Sequence, residues 1–189
     1  MRNVLFVLSG PSGVGKGTLA KLLVKRNPNI QLSISCTTRK PRKNEIDGKD
    51  YFFISKESFN EKISQDGFLE YSNHFDNFYG TPKDFVFSKL NDNDVLLEID
   101  VNGGLEVKKS FRDTVLIMIL PPSLEEVRNR LIKRGTESIE KIDSRMSRIE
   151  YELSKQDQYD YAVINDDLIK TVERIEEILL KEKHSNKGE

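Results

Sequence analysis

Gly10-Pro11-Ser12-Gly13-Val14-Gly15-Lys16-Gly17-Thr18 follows the apolar run Val4-Leu5-Phe6-Val7-Leu8 and precedes a pattern in which Leu19, Leu22 and Leu23 recur at helical spacing. The order is strand, glycine-rich turn, helix, the context in which a G-x-x-x-x-G-K match carries meaning. Glycines let the backbone curl and turn its N–H groups inward as an anion nest. The following helix adds the positive end of its dipole. Lys16 is then placed to reach the outer phosphates of a nucleotide. The residue after the lysine is Gly17, and the hydroxyl arrives one position later, at Thr18. A glycine-rich turn without a ligand is the competing reading, and the agreement of strand, glycines, lysine and helix disfavours it.

The chain has 189 residues, 37% hydrophobic and 32% charged, with a net charge of −1. That length holds one α/β core with room for inserted subdomains. The absence of net basicity argues against a nucleic-acid partner. A single cysteine, Cys36, excludes an internal disulfide and fits a reducing compartment, so a cytoplasmic enzyme is expected. No apolar run is long enough to span a bilayer. The N-terminal apolar stretch reads as a strand rather than a secretory signal.

Helix periodicity from Lys16 to Arg26 stops at Asn27-Pro28-Asn29. Leu32-Ser33-Ile34-Ser35-Cys36 alternates as a strand. The composition then becomes polar and basic over Thr37-Thr38-Arg39-Lys40-Pro41-Arg42-Lys43. A short strand over residues 50–54 precedes a helix that Ser55 is placed to cap. Strands are expected near Phe68–Tyr71 and before Gly80. Thr81-Pro82 reads as N-cap and first turn of a further helix. The core pattern returns with an acidic-ended strand over Asp94–Asp100, the apolar run Thr114–Leu120, and Tyr161–Asn165. Ser123-Leu124-Glu125-Glu126 is a capping-box signature. The last helix is expected to bury Leu168, Ile169, Val172, Ile175, Ile178 and Leu179.

Strands alternating with helices imply a parallel sheet with helices on both faces, and ligands of such sheets bind at the carboxyl ends of the strands. Residues 1–35, 84–125 and 151–189 are expected to form that core. Residues 36–83 read as an inserted mixed subdomain and 126–150 as a helical lid. The lid segment carries Arg128, Arg130, Lys133, Arg134, Arg145 and Arg148. Guanidiniums closing over a transferring phosphoryl suit this cluster, and a solvated helix face interleaved with Glu125, Glu126, Glu137 and Glu140 is the competing reading. Arg39 and Arg42, with Tyr51 and Tyr79 downstream, form a second basic group suited to phosphate, with surface salt bridging for the arginines and core packing for the tyrosines as the competing readings. Two phosphate sites imply two phosphorylated substrates, hence a nucleotide kinase rather than a hydrolase. Asp100 is placed to act on magnesium through water, with Glu98 two residues earlier on the same strand face, and capping a neighbouring loop is the competing reading for either. Glu70, bordered by Phe68, Leu69 and Tyr71, needs a donor partner and is either a structural carboxylate or a base reader.

These residues resemble the guanylate kinase family over almost the whole chain. The most specific match is Ser35-Cys36-Thr37-Thr38-Arg39-Lys40-Pro41-Arg42 with Gly48-Lys49-Asp50-Tyr51 after it. It continues through Phe68-Leu69-Glu70-Tyr71, Tyr79-Gly80-Thr81, Leu97-Glu98-Ile99-Asp100, Arg134-Gly135-Thr136-Glu137 and Val163-Ile164-Asn165. The resemblance implies a P-loop NTPase-type α/β fold, a GMP-binding insertion, and transfer of the ATP γ-phosphoryl to GMP or dGMP. It implies that Arg39, Arg42, Tyr51 and Tyr79 hold the GMP phosphate and that Ser35, Glu70, Thr81 and Asp100 surround the guanine, with Glu98 close by. It implies that Lys16, Arg130, Arg134 and Arg145 serve ATP and the transferring group. It places residues 10–18 on the ATP phosphates and Asn165 near the adenine. Mg²⁺ is expected to be held mainly by water and ATP, with Asp100 and Thr18 nearest. Three positions that vary in the family read Gly17, Thr81 and Glu98, and Gly17-Thr18 is similar to the loop of adenylate kinases. A non-catalytic guanylate-kinase-like binding domain and a P-loop kinase for another acceptor are the alternatives. The protein is expected to be a monomer or homodimer, with no membrane or nucleic-acid partner.

Overall fold

The computed structural model describes residues 3–74, 76–134 and 138–185; the side chains of His74, Arg130 and Arg134 lie outside the described set. In chain order the elements are β1 (Leu5–Ser9), α1 (Lys16–Arg26), β2 (Ile30–Leu32), β3 (Cys36–Thr37), β4 (Phe52–Phe53), α2 (Lys56–Ser64), β5 (Phe68–His74), β6 (Asn77–Pro82), α3 (Lys83–Leu90), β7 (Asp94–Glu98), α4 (Val101–Ser110), β8 (Val115–Leu120), α5 (Leu124–Arg134), α6 (Ile139–Leu153), a short 3₁₀ turn (Gln156–Gln158), β9 (Tyr161–Ile164) and α7 (Leu168–His184).

β1 is the central strand of a five-stranded parallel sheet ordered β2-β7-β1-β8-β9. Its side chains are buried on both faces, and their alternation sorts them into two cores. Phe6 and Leu8 join Leu19, Leu23, Val172 and Ile175 under α1 and α7. Leu5 and Val7 join Val86, Val101 and Val107 under α3 and α4. A period-two strand with no polar face must be covered twice, and helices do so. Each such Leu or Phe contributes about 2 kcal/mol by leaving water.

The second sheet has four strands in the order β4-β3-β6-β5. Phe59 of α2 seals it, stacked between Phe68 at 4.5 Å and Phe78 at 5.3 Å. Ser55 caps α2, its hydroxyl accepting from Ser58 N–H at 3.1 Å. Residues 33–35, expected within one strand, instead carry the chain between the sheets. Ser33 N–H donates to Leu96 O of the parallel sheet at 2.9 Å, and Ser35 O accepts from Phe52 N–H of the other at 2.9 Å. Alternation alone does not register such a change of partner.

Two further expectations are corrected. Thr81 is the last-but-one residue of β6 and caps nothing, because its hydroxyl is drawn across the ladder to Glu70; Pro82 occupies the N-cap position of α3. On α7, Leu168 and Ile169 in the first turn stay exposed, while Thr171 and Glu182 are buried with Val172, Ile175 and Leu179. Burial of Glu182 is compensated by Tyr161, whose hydroxyl donates to it at 2.6 Å. Ser123 caps α5 as expected, accepting from Glu126 N–H at 3.0 Å.

Candidate active site

The turn after β1 runs beneath the ends of its neighbours. Gly10 adopts φ +147°, and a Cβ there would lie 2.3 Å from Ile119 O, so only glycine fits. Gly15, with φ +101°, begins α1 and lies against Asn165. Asn165 Nδ2 donates to Val14 O at 2.7 Å, and its backbone N–H donates to Leu120 O at 2.9 Å. The structure thus puts Asn165 on the loop itself, tying it to the end of β8.

Lys16 Nζ donates to Gly10 O at 2.5 Å and Pro11 O at 3.0 Å. Burial lowers its pKa, opposed by Glu98 first and then by Glu152 and Asp100. Burial likewise raises the Glu98 carboxyl, opposed by Lys16. A cleft of about 460 Å³ lies over Ser12, Gly13, Lys16, Gly17 and Thr18, with Glu98 on its wall. A Cβ at position 17 would meet Glu98 Oε1 at 3.3 Å, a tight contact that a small shift of that carboxylate would relieve.

Glu98 also borders a second cavity, of about 170 Å³, lined by Glu70, Ser72, Tyr79, Ile99 and Asp100. Here the two sheets meet. Glu70 of β5 lies against α4, its Oε2 3.0 Å from where a Cβ on Gly103 would be. Thr81 Oγ1 donates to Glu70 Oε1 at 2.6 Å. Desolvation raises the Glu70 pKa to about 7, with Asp100 adding to the shift and Thr81 opposing it. Asp100 is not on β7 but caps α4, Oδ1 accepting from Gly103 N–H at 2.8 Å. Its carbonyl accepts from Ser9 Oγ at 3.2 Å, which joins it to β1.

The basic group of the second sheet adjoins this cavity through Tyr79, one of its lining residues. The Arg39 guanidinium lies 5.4 Å from the Tyr51 ring, and Tyr51 meets Tyr79 edge-on at 6.1 Å. Burial raises the Tyr51 pKa. Arg39 forms a fork with Glu45 at 2.8 and 2.9 Å. Those hydrogen bonds raise Arg39 and hold Glu45 down at about 2. Ser35 joins this sheet through its carbonyl, and Arg42 is exposed.

Of the lid candidates, Arg145 is exposed on α6, while the side chains of Arg130 and Arg134 lie outside the described set. Arg128 pairs with Asp143 at 2.7 Å between α5 and α6, so the solvated-helix reading holds for that arginine. Two residues escaped the sequence reading. Glu45 was hidden in a lysine- and arginine-rich stretch. Glu152, almost fully buried, pairs with Arg148 at 3.1 Å, and both act on Lys16. Their i, i+4 spacing was the available signal. A cavity of about 470 Å³ behind Phe52, Ile54 and Phe85 is apolar, and its Lys62 is paired with Asp84 at 3.0 Å, so it offers little to a phosphate.

A parallel sheet with a glycine-rich loop and its lysine at the central strand, faced by a second basic and acidic cluster, defines a P-loop nucleotide kinase. The family model described as guanylate kinase matches residues 2–182. The chain is 51% identical to a guanylate kinase of Caldanaerobacter subterraneus over 96% of its length and 89% of that protein's. It is 48% identical to one of Clostridium tetani, over 96% and 88%. A crystal structure of guanylate kinase from Anaplasma phagocytophilum superposes with TM-score 0.79 at 34% identity, covering 97% of this chain and 88% of that one. The chain belongs to the guanylate kinase family. Among the described residues no helix is long and apolar enough to cross a membrane.

Proposed function

We infer that this chain transfers the γ-phosphoryl of ATP to GMP, giving ADP and GDP. The observation that carries the acceptor assignment is the Glu70 carboxylate, held by Thr81 and facing Asp100 where the two sheets meet. Guanine presents N1–H and its 2-amino group side by side, and one carboxylate accepts both. Adenine has a bare acceptor at N1 and no 2-amino group, so Glu70 would gain no donor from the base beyond its Thr81 bond. Sites of this kind discriminate by about 10⁴ or more. dGMP is accepted in part, because none of these residues reads the 2′-hydroxyl.

ATP lies on residues 10–18 and GMP in the segment 36–83, its phosphate on Arg39, Arg42, Tyr51 and Tyr79 and its base near Ser35, Glu70, Thr81 and Asp100. Lys16 gives up its loop carbonyls for the donor's phosphates. The GMP phosphate oxygen attacks the γ-phosphorus in line as the bond to the β-phosphate oxygen breaks, and ADP departs. The acceptor oxygen is already ionised, so no residue serves as base. Residues 126–150 close as a lid, delivering Arg130, Arg134 and Arg145 and excluding water that would otherwise take the phosphoryl.

The residues present fit Mg²⁺. Thr18 and Glu98 offer oxygen donors on one cleft, and Mg²⁺ takes one or two such ligands beside substrate phosphates and water. Thr18 would be nearest, with Glu98 and Asp100 acting through water. When bound, the ion neutralises charge on the ATP phosphates.

The test is ADP release from ATP–Mg²⁺ with GMP, AMP, CMP or UMP, beside an acceptor-free control. Turnover with GMP alone supports the reading. Turnover with AMP instead would overturn the role of Glu70. No turnover from folded protein would favour a non-catalytic binding domain.

A further inference from the structure

Glu45 receives three hydrogen bonds from the arginine-bearing loop. Arg39 Nη1 donates to Oε2 at 2.8 Å and Nη2 to Oε1 at 2.9 Å. Arg42 backbone N–H donates to Oε2 at 2.7 Å, and Glu45 N–H returns a bond to Arg42 O at 3.0 Å. One carboxylate therefore couples both arginines of the second basic group.

A guanidinium has five N–H donors and two edges on which a planar or tetrahedral anion sits bidentately. Glu45 occupies the end-on edge, between Nη1 and Nη2. The second Nη1 hydrogen goes to Lys40 O at 2.7 Å. The side-on edge, Nε with the remaining Nη2 hydrogen, is left to Tyr79, which hydrogen-bonds the same guanidinium, and to a substrate beside it. The Tyr51 and Phe53 rings lie together on one side of the guanidinium, at 5.4 and 5.8 Å from it and 5.8 Å from each other. A phosphate arriving between Tyr51 and Tyr79 thus meets an arginine whose rotamer is already set.

We propose that Glu45 is a positioning residue for the acceptor phosphate: it locks Arg39 by the end-on edge so that the side-on edge is presented to the substrate. The inference rests on the GMP reading above. The opposite reading is that Glu45 stands where the phosphate goes and must leave first. The two differ in sign. An ordering carboxylate tightens the substrate, because a rotamer-rich arginine would otherwise be immobilised on binding. A competing carboxylate weakens it.

The experiment compares wild type, Glu45→Gln and Glu45→Ala by steady-state kinetics and by calorimetry with GMP and with guanosine, at moderate and at high salt. Guanosine keeps the base and lacks the phosphate. High salt screens the direct repulsion between Glu45 and a phosphate, leaving the ordering effect. At high salt the KM and Kd for GMP should rise roughly three- to tenfold, Ala more than Gln, because an arginine rotamer is no longer pre-set. The KM for ATP and the guanosine Kd should stay at wild-type values. GMP binding that tightens in the order wild type, Gln, Ala would overturn the proposal in favour of competition. Equal weakening of GMP and guanosine would overturn it in favour of a merely structural role. GMP values that do not change would overturn it outright. A wild-type protein that uses no GMP would overturn the functional reading, and this inference with it; the wild-type arm therefore separates the two failures.

Discussion

Thr81 and Glu70 face each other across the β5–β6 ladder, and the Thr81 hydroxyl donates to Glu70 Oε1 at 2.6 Å. The bond favours the ionised carboxyl against the burial that raises its pKa to about 7. Removing the donor by Thr81→Val should therefore raise the Glu70 pKa further and misalign the carboxylate. The KM for GMP at pH 7 should rise about tenfold, the worth of one charge-assisted hydrogen bond, with the KM for ATP unchanged. An unaltered GMP KM would remove this pair from base recognition.

The same carboxyl sets a pH dependence for ligand binding. Guanine requires the ionised form, so affinity should increase as pH rises through about 7. Guanosine is the probe of choice, because a nucleotide's phosphate itself titrates near pH 6. Calorimetry between pH 6 and 8 should show progressive tightening, by up to about tenfold per unit on the acid side. Glu70→Gln should abolish both the tightening and most of the affinity.

Stability should run the other way. A folded-state pKa raised above the unfolded value of 4.5 means that the native state holds the extra proton between pH 4.5 and about 7. The folded protein therefore loses stability as pH rises through that window, and the whole cost is present above it. Glu70→Gln should stabilise the fold at pH 8 by about 1–3 kcal/mol and have little effect near pH 4.5. Thermal melting at the two pH values checks this. A variant that binds GMP worse and melts higher would mark Glu70 as a residue kept for function.

Among the described residues Lys16 donates to the loop carbonyls of Gly10 and Pro11, and burial lowers its pKa. Lys16→Met should lower kcat by about 10³ or more, because charge stabilisation is the main catalytic contribution in phosphoryl transfer. Its Tm should stay within a few degrees of wild type, since no core contact is lost. A folded variant retaining a tenth of the activity would place the essential cation elsewhere.

Two loop glycines separate backbone strain from collision. At Gly10 a Cβ would lie 2.3 Å from Ile119 O, whereas at Gly13, φ +81°, nothing lies within 4 Å. Gly13→Ala should cost about 1 kcal/mol, the left-handed penalty alone. Gly10→Ala must also push β8 away and should cost about 3 kcal/mol or more. Equal denaturation midpoints for the two would contradict the close approach of this loop to β8.

Residues 4–26 were legible because their signals are local. An apolar run, glycines and a leucine period specify strand, turn and helix without help from elsewhere, and α1 spans Lys16–Arg26 as its breaker at Asn27-Pro28 requires. Ser55 and Ser123 were legible as caps for the same reason: the groups they satisfy lie three residues away. Thr81 looked like a cap by that rule and is not one. A hydroxyl is indifferent to sequence distance, and Glu70, eleven residues back, is the stronger acceptor.

What the sequence by itself determined is the set of groups: a glycine loop with its lysine, two arginines with two tyrosines, and Glu70, Glu98 and Asp100. Their chemistry already excludes most functions other than phosphate handling. The tertiary structure decided which edge of Arg39 remains for a ligand, that residues 33–35 pass between two sheets, and that Glu98 borders both cavities. The reason is physical. Helices, turns and caps are closed by neighbours along the chain, whereas a site is closed by groups tens of residues apart, whose meeting depends on how two sheets pack.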